Sequence, residues 1–417
     1  MAVAVIDGAR TPFTKMGTSL RNSTAVDLGV GPVNTLVSRY NLSKDPGGLL
    51  VFGSVILHSD VSNLAREVAL ESTLHPETRA FTSIMACATS LSTVAEASGW
   101  IHRGAVPWAI AGGSESSSNF PVSFPRSFGR VLGNLQFSKT KTAKLKSLTG
   151  LRPRDLTPTV PPVAERLTGL TMGEHCELMI KEWKLPRKPQ DEWAVMTHAR
   201  AAAKQDWHSK FLCSAPKSGG KLVDNLIRGD TNLEKISKLK PAFTKDGTIT
   251  AANASPMTDG GAAVLLADES YAKKMGWPIL ALIDDMETSA ININNEGLLM
   301  APPYAILRLL KRKGLQLADY DLAEIHEAFA AQVLCNLEAL QNEEWCNSRV
   351  GLPATKVPPY ERINVNGGSI PLGHPFGATG ARLVMQLAKQ LQDSNLKSGL
   401  ISVCAAGGLG FVMTLRR

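Results

Sequence analysis

Four residues in this chain are of types that do chemistry and stand in settings that suit it: Cys87, His326, His374 and Cys404. A thiolate attacks electrophilic carbon, and an imidazole takes and returns protons near neutral pH. Cys87 stands in SIMACATS, where an apolar run gives way to a helical pattern. A thiol at a helix N-terminus feels the positive end of the dipole, so a lowered pKa and a nucleophilic role are expected. The plainer reading is a small buried residue. His374 stands in NVNGGSIPLGHPFGATGAR, whose glycines, with Pro371 and Pro375, are expected to exclude regular structure before the next helix. That puts it on a tight loop, where it can activate a thiol and a ligand can come close. A structural histidine in a turn reads equally well. Cys404, in SVCAAGGLG, ends a strand and enters a small-residue turn that can aim N–H groups at an oxyanion. His326, in EIHEAFAAQ, stands at another strand end and can hold a water or donate to a carbonyl oxygen. The other six histidines fall on helices or loops and are expected at the surface.

Holding such groups together takes a rigid scaffold. Strands are expected at AVAVID (2–7), LLVFGSVI (49–56), FTSIM (81–85) and WAIAGG (108–113), with helices over 27–40, 61–73 and from Cys87 to Arg103. The second half restates the order. ILALIDD (279–285), LAEIH (322–326), GLISVCAAGG (399–408) and LGFVMTL (409–415) read as strands, with helices over 303–314, beyond His326 to Leu340, and over 377–392. Strand–helix alternation of this kind argues for an α/β fold. In the first half the counterpart of the last strand, GGAAVLLAD (260–268), arrives only after a long stretch rich in Pro, Lys and Arg. The organisation expected is therefore two copies of one α/β unit. They are an N-terminal domain of 1–120 plus 258–276, interrupted by an inserted loop domain of 121–257, and a C-terminal domain of 277–417. All four candidate residues fall at or just beyond expected strand C-termini, two in each half, and that edge is where open α/β sheets bind ligands.

Composition narrows the function classes. The 417 residues suit two or three domains at roughly 100–200 residues each. No apolar run reaches the roughly 18 residues of a membrane span, so a soluble protein is expected. A net charge of +8 does not by itself indicate nucleic acid and fits an anionic ligand. Cys87, Cys176, Cys213, Cys335, Cys346 and Cys404 form no CxxC pair, which points away from a zinc site or disulfide framework and toward a reducing compartment. MAVAVIDGARTPF opens as strand and turn without a signal or transit pattern, so secretion is not expected.

The segments VIDGARTPF, SNLAREVAL, MACATS, AGGSESSS, TAANASPMTDGGAAV, HEAFAAQ, NGGSIPLGHPFGATGAR and CAAGGLG together resemble the thiolase family, in its order and spacing. HEAF, with His326 where many thiolases have asparagine, is similar to the long-chain branch. That branch includes the β-subunit of the mitochondrial trifunctional protein and the thiolases of bacterial fatty-acid oxidation complexes. The resemblance implies the thiolase fold, with two duplicated α/β domains in five layers (αβαβα) and an inserted loop domain. It implies cleavage of 3-ketoacyl-CoA by coenzyme A to acetyl-CoA and a shortened acyl-CoA. Cys87 would be the nucleophile, His374 its activator and Cys404 the acid/base. His326 and His374 would form one oxyanion hole, and the backbone N–H groups of Cys87 and Ala406 the other. Contacts to CoA or substrate carry over to Arg228, Phe243, Ser255, Met172 and Ala328, with Met172 at the acyl pocket.

By the same resemblance CoA is a co-substrate, with no tightly bound cofactor, no metal and no nucleic acid. It further implies a homodimer or homotetramer, a hydratase/dehydrogenase partner subunit, and a mitochondrial matrix location in a eukaryote or a cytoplasmic one otherwise. Three rival readings are weaker. A β-ketoacyl synthase lacks the second cysteine, so Cys404 stands against it. HEAF weighs against a biosynthetic acetoacetyl-CoA thiolase. A non-catalytic lipid-binding relative would not need all four chemical positions filled. One further feature is the run from Pro121 to Arg154, with eight Lys/Arg, no Asp or Glu, and interleaved Phe and Leu. Segment 126–154 is expected to meet an anionic membrane, an acidic partner or the CoA phosphates, or to be a solvated surface.

Overall fold

Val3 and Val5 face one apolar core and Ala4 and Ile6 another, so the first strand, β1 (Val3–Arg10), is buried on both sides. The same alternation holds in β3 (Leu49–Gly53), where Leu49 and Val51 oppose Leu50 and Phe52. Strands buried on both faces read as continuous apolar runs because a helix layer covers each side. The computed structural model describes residues 1–56, 58–158, 163–219 and 223–417. Its other strands are β2 (Thr14–Lys15), β4 (Arg79–Thr82), β5 (Trp108–Glu115), β6 (Thr258–Asp268), β7 (Ala281–Ala290), β8 (Leu322–Ile325), β9 (Ser398–Ala405) and β10 (Leu409–Arg416). The longer helices are α1 (Ala25–Tyr40), α2 (Leu64–Glu71), α3 (Thr89–His102), α4 (Arg126–Phe137), α5 (Lys141–Leu148), α6 (Met172–Trp183), α7 (Arg187–Ala203), α8 (Ala301–Lys313), α9 (Ala330–Gln341) and α10 (Thr379–Asp393).

The strands form one sheet of order β4-β3-β5-β6-β1-β7-β10-β9-β8, with β2 paired to β6. Its two halves repeat. β3 is parallel to β5, which is antiparallel to β6, which is antiparallel to β1. β8, β9, β10 and β7 follow the same sequence of pairings. Where the first half has β4 beside β3, the second has an isolated parallel bridge from Ile363 to Ala323. The halves join edge to edge where Val3, Ala4 and Val5 of β1 pair with Ile283, Leu282 and Ala281 of β7.

Five layers result. α1 and α2 cover one face of the first half. α3 and α10 lie together in the central layer, burying Leu91, Val94, Leu383 and Leu387 against strands of both halves. α8 packs Ile306, Leu309 and Leu310 on Leu400 and Val412 at the far face. Among the described residues no helix is long and apolar enough to cross a membrane.

The inserted segment is tied down at two points. Buried Arg10 of β1 holds Asp224 through paired bonds of 2.7 Å. Trp193 and Thr197 of α7 donate to the buried carboxylate of Glu327 at 3.0 Å. α4 and α5 form a helical hairpin in which neither helix buries a residue.

Four sequence expectations change here. The strand expected at 81–85 lies at Arg79–Thr82, and the helix expected from Cys87 begins at Thr89. The segment before His374 is not irregular: Ser369–Leu372 makes one helical turn that holds Pro371. His175, His198 and His208 are buried, not at the surface, because the inserted segment packs its histidine-bearing faces inward.

Candidate active site

The chain reaches Cys87 through a kink. Ala86 sits at φ 45°, a left-handed conformation that costs a non-glycine residue roughly 1–3 kcal/mol. The Thr89 hydroxyl holds the kink by accepting from the Met85 N–H at 2.9 Å and donating to the Ala86 carbonyl at 2.7 Å. Cys87 then opens onto a cavity of about 570 Å³ lined largely by apolar side chains, among them Met16, Val55, Phe120, Met172, Met257 and Phe376.

The loop carrying His374 comes from the other half of the chain. It can reach Cys87 because glycine meets glycine: a side chain at Gly113 would strike the Gly377 carbonyl at 2.1 Å. Glu115 fastens the contact. Its buried carboxylate accepts from the Ser54 hydroxyl and from the N–H groups of Val55, Ile56 and Gly377, all at 2.7–3.0 Å. Burial raises its pKa, and those four donors oppose the rise. The His374 N–H donates to Thr258 at 3.0 Å, and His374 bridges to Met257, so the loop is seated on the start of β6 and does not follow a strand end as expected.

His326 directly follows β8, and its ring lies 4.1 Å from that of His374. Ligating atoms of Cys87, His326 and His374 lie within 4.8 Å of one another. These are metal-ligating residue types, and they also suit a thiol placed beside two imidazoles that can move its proton. Cys404 is the penultimate residue of β9 and is buried. Ala406, Gly407 and Gly408 then turn the chain into β10, with φ of 82° and 69° at the two glycines. That turn aims the Ala406 N–H at Cys87, and Glu165 of the inserted segment accepts from the Gly407 N–H at 2.9 Å.

The electrostatics reverse one expectation. Cys87 keeps part of its surface open to the cavity, yet protein walls surround the sulfur. Burial pushes its thiol up to about 11, against the pull of the N–H groups of Ala406 and Cys87 itself. Burial outweighs the helix dipole that was expected to lower it, Cys87 standing two residues ahead of α3. Burial, then Arg382, holds His374 down to about 3. Burial, then His374 and Arg382, keeps His326 well below its ordinary value. The resting pair at neutral pH is thiol and neutral imidazole. Cys404 is likewise kept a thiol, first by burial and then by Cys87.

The match to known families decides what this arrangement is. The family model "Thiolase, N-terminal domain" matches residues 3–270, and "Thiolase, C-terminal domain" matches 277–417. The chain belongs to the thiolase family. This thiolase is 40% identical over 422 aligned positions to a 3-ketoacyl-CoA thiolase of Pectobacterium carotovorum, covering 99% of this chain and 96% of that one. It is 40% identical over 420 positions to the 3-ketoacyl-CoA thiolase of Yersinia pestis, with the same coverage. Its structure is similar to the crystal structure of the Bacillus anthracis acetyl-CoA acetyltransferase, with a TM-score of 0.79 at 26% identity, covering 100% of this chain and 98% of that one.

The residues of this thiolase expected to contact CoA or substrate divide. Met172, the first residue of α6, lines the cavity. Phe243 packs over Gly173 and edge-on to Phe329. Ser255 donates its N–H and hydroxyl to the Ala328 carbonyl, at 3.0 and 3.1 Å. Arg228 stands exposed, its guanidinium turned to the Asn225 and Ile227 carbonyls. Sequence reasoning passed over Glu115, Glu327, Ser369, Thr379 and Arg382. The visible signal was position: Glu327 follows His326, and the other four lie inside AGGSESSS and NGGSIPLGHPFGATGAR.

Proposed function

We propose that this thiolase cleaves 3-ketoacyl-CoA to acetyl-CoA and an acyl-CoA shortened by two carbons. One observation carries the reading: Cys87 lies at an apolar cavity, with both imidazoles beside it and the Ala406 N–H aimed at it. His374 takes the Cys87 proton as the sulfur attacks the 3-keto carbon. The C2–C3 bond breaks, and Cys404 gives a proton to the leaving enolate carbon of acetyl-CoA. CoA then attacks the Cys87 acyl-enzyme and passes its thiol proton to Cys404, and the Cys87 sulfur leaves the acyl group and takes its own proton back from His374. His326 with His374 faces one developing oxyanion, and the N–H groups of Cys87 and Ala406 face the other. Phe243, Ser255, Met172, Ala328 and Arg228 contact CoA or substrate. The cavity volume favours chains longer than acetoacetyl. Thiolysis of a long 3-ketoacyl-CoA should therefore exceed that of acetoacetyl-CoA in kcat/KM, and the opposite order would favour a biosynthetic role.

Cys404 in this reading moves protons and carries no acyl group. Cys404→Ser is expected to slow thiolysis about 10²–10⁴-fold, as for loss of an acid–base group. Acylation of Cys87 should remain visible by mass spectrometry, and label on residue 404 would reverse the roles.

The enzyme works as a homodimer or homotetramer, a reading supported by β4, which among the described residues pairs on one side only, and by Ile84 beside it, 44% exposed. Sizing at low micromolar concentration should return at least a dimer, and an active monomer would refute it. The α4–α5 hairpin docks on an anionic bilayer. Phe137 and Leu145, 81% and 67% exposed, stand among its basic residues. Replacing Lys139, Lys141, Lys144 and Lys146 with Gln should weaken binding to phosphatidylserine vesicles, at roughly 1 kcal/mol per charge, with KM for CoA unchanged. Unchanged vesicle binding would leave the hairpin a solvated surface.

A further inference from the structure

Two neutral imidazoles stand side by side in this site, and among the described residues neither Nε2 has a hydrogen-bond partner. A neutral imidazole carries one proton, so each Nε2 is either a donor or a base, and hydrogen-bond partners at Nδ1 decide which. We propose that a buried chain of hydrogen bonds running from the Asn366 carbonyl through His208, Gln386, Arg382 and Ser369 fixes His326 as an Nε2–H donor. Thr379 fixes His374 in the opposite form, as an Nε2 base.

The polarity of the chain follows from its ends. A carbonyl oxygen only accepts, so His208 donates from Nε2 to Asn366 at 2.8 Å. Its Nδ1 then accepts from the Gln386 amide nitrogen at 3.2 Å. That turns the Gln386 amide oxygen toward Arg382, whose Nη1 donates to it at 2.6 Å. A guanidinium has no acceptor, so Arg382 Nη2 also donates, to the Ser369 hydroxyl oxygen at 2.8 Å. The hydroxyl proton is left with His326 Nδ1, at 2.8 Å. His326 Nδ1 therefore accepts, and the ring proton sits on Nε2, facing the site. Each link is buried, His208, Gln386, Arg382, Ser369 and His326 being no more than 1% exposed, so water does not compete for the bonds. Burial also keeps His208 neutral, at about 4, as the chain requires.

The other imidazole is set by a different hydroxyl. Thr379 donates its single proton to the Pro375 carbonyl at 3.1 Å. It therefore accepts from His374 Nδ1, at 2.7 Å, which leaves the His374 Nε2 lone pair free for the Cys87 proton. One ring is thus built to donate to a thioester oxygen and its neighbour to take a proton. Ser369 and Arg382 are positioning residues, acting through His326. The functional consequence rests on the reading of His326 as an oxyanion donor given above.

Two-bond proton–nitrogen NMR on histidine-labelled protein reads the tautomers directly, with His326→Asn and His374→Asn assigning the signals. The wild-type enzyme should show His326 protonated on Nε2 and His374 on Nδ1, and His326 protonated on Nδ1 overturns the proposal without any positioning variant. In Ser369→Asp the carboxylate can only accept, so the His326 proton should move to Nδ1. Thiolysis kcat should then fall about 10²–10³-fold, the loss seen on removing one oxyanion donor, with KM little changed. Alkylation of Cys87 by iodoacetamide, which needs the His374 base and no oxyanion donor, should stay within about twofold, whereas a collapsed site would slow both. A shifted proton with wild-type kcat overturns the proposal. Absence of thiolysis in the wild-type enzyme would instead refute the proposed function, with the tautomers still readable.

Discussion

Cys87→Ala is expected to lower thiolysis by on the order of 10⁵–10⁶-fold, as removal of a covalent nucleophile does elsewhere. The reaction has no route around the acyl-enzyme, because no other sulfur shares the position. Cys404 lies on β9, Cys176 and Cys335 are buried in the apolar cluster that also holds Cys404, and Cys213 and Cys346 are buried elsewhere. The protein should keep its fold. The residue is small, and the kink at Ala86 is held by Thr89 and not by the thiol. Intact-mass analysis after incubation with 3-ketoacyl-CoA should show an acyl adduct on wild-type protein and none on the variant. Turnover near the wild-type rate would remove Cys87 from the mechanism.

His374→Gln is expected to lower thiolysis about 10²–10⁴-fold and to change its pH dependence. In the wild-type enzyme the reactive form is thiol with neutral imidazole. Its acid limit is protonation of His374 at about 3 and its alkaline limit is ionisation of Cys87 at about 11. Between them, alkylation of Cys87 should be nearly independent of pH from about 5 to 9. Without the base, only the free thiolate reacts. The thiolate fraction grows tenfold per pH unit below the thiol pKa, so the variant's alkylation rate should climb tenfold per unit over that range. A flat profile in the variant would mean that His374 does not activate the thiol.

Much of this was legible in the sequence, for identifiable reasons. A strand covered on both faces must be apolar at consecutive positions, so Leu49–Gly53 and Ser398–Ala405 stood out before any fold was known. The repeated order of those runs exposed the two-unit plan, which the matching strand pairings of the two halves bear out. Glycine-rich turns beside His374 and Cys404 were equally plain, because Gly373, Gly407 and Gly408 hold φ of 95°, 82° and 69°, a conformation that favours glycine.

Other features were hidden because they depend on what surrounds a residue. His198 and His208 fall on helices among Lys, Arg and Asp, and nothing in their local pattern says that those faces turn inward. The thiol of Cys87 was expected to be acidic from its place near a helix start. Desolvation in the cavity outweighs that term and drives the pKa the other way. The sequence by itself determined which residues could react, the α/β scaffold and its doubling, and the family. Tertiary structure alone decided the protonation states. These depend on burial and on hydrogen bonds between groups as far apart in the chain as His208 and Gln386, and the direction of a proton is set by partners that local sequence does not contain.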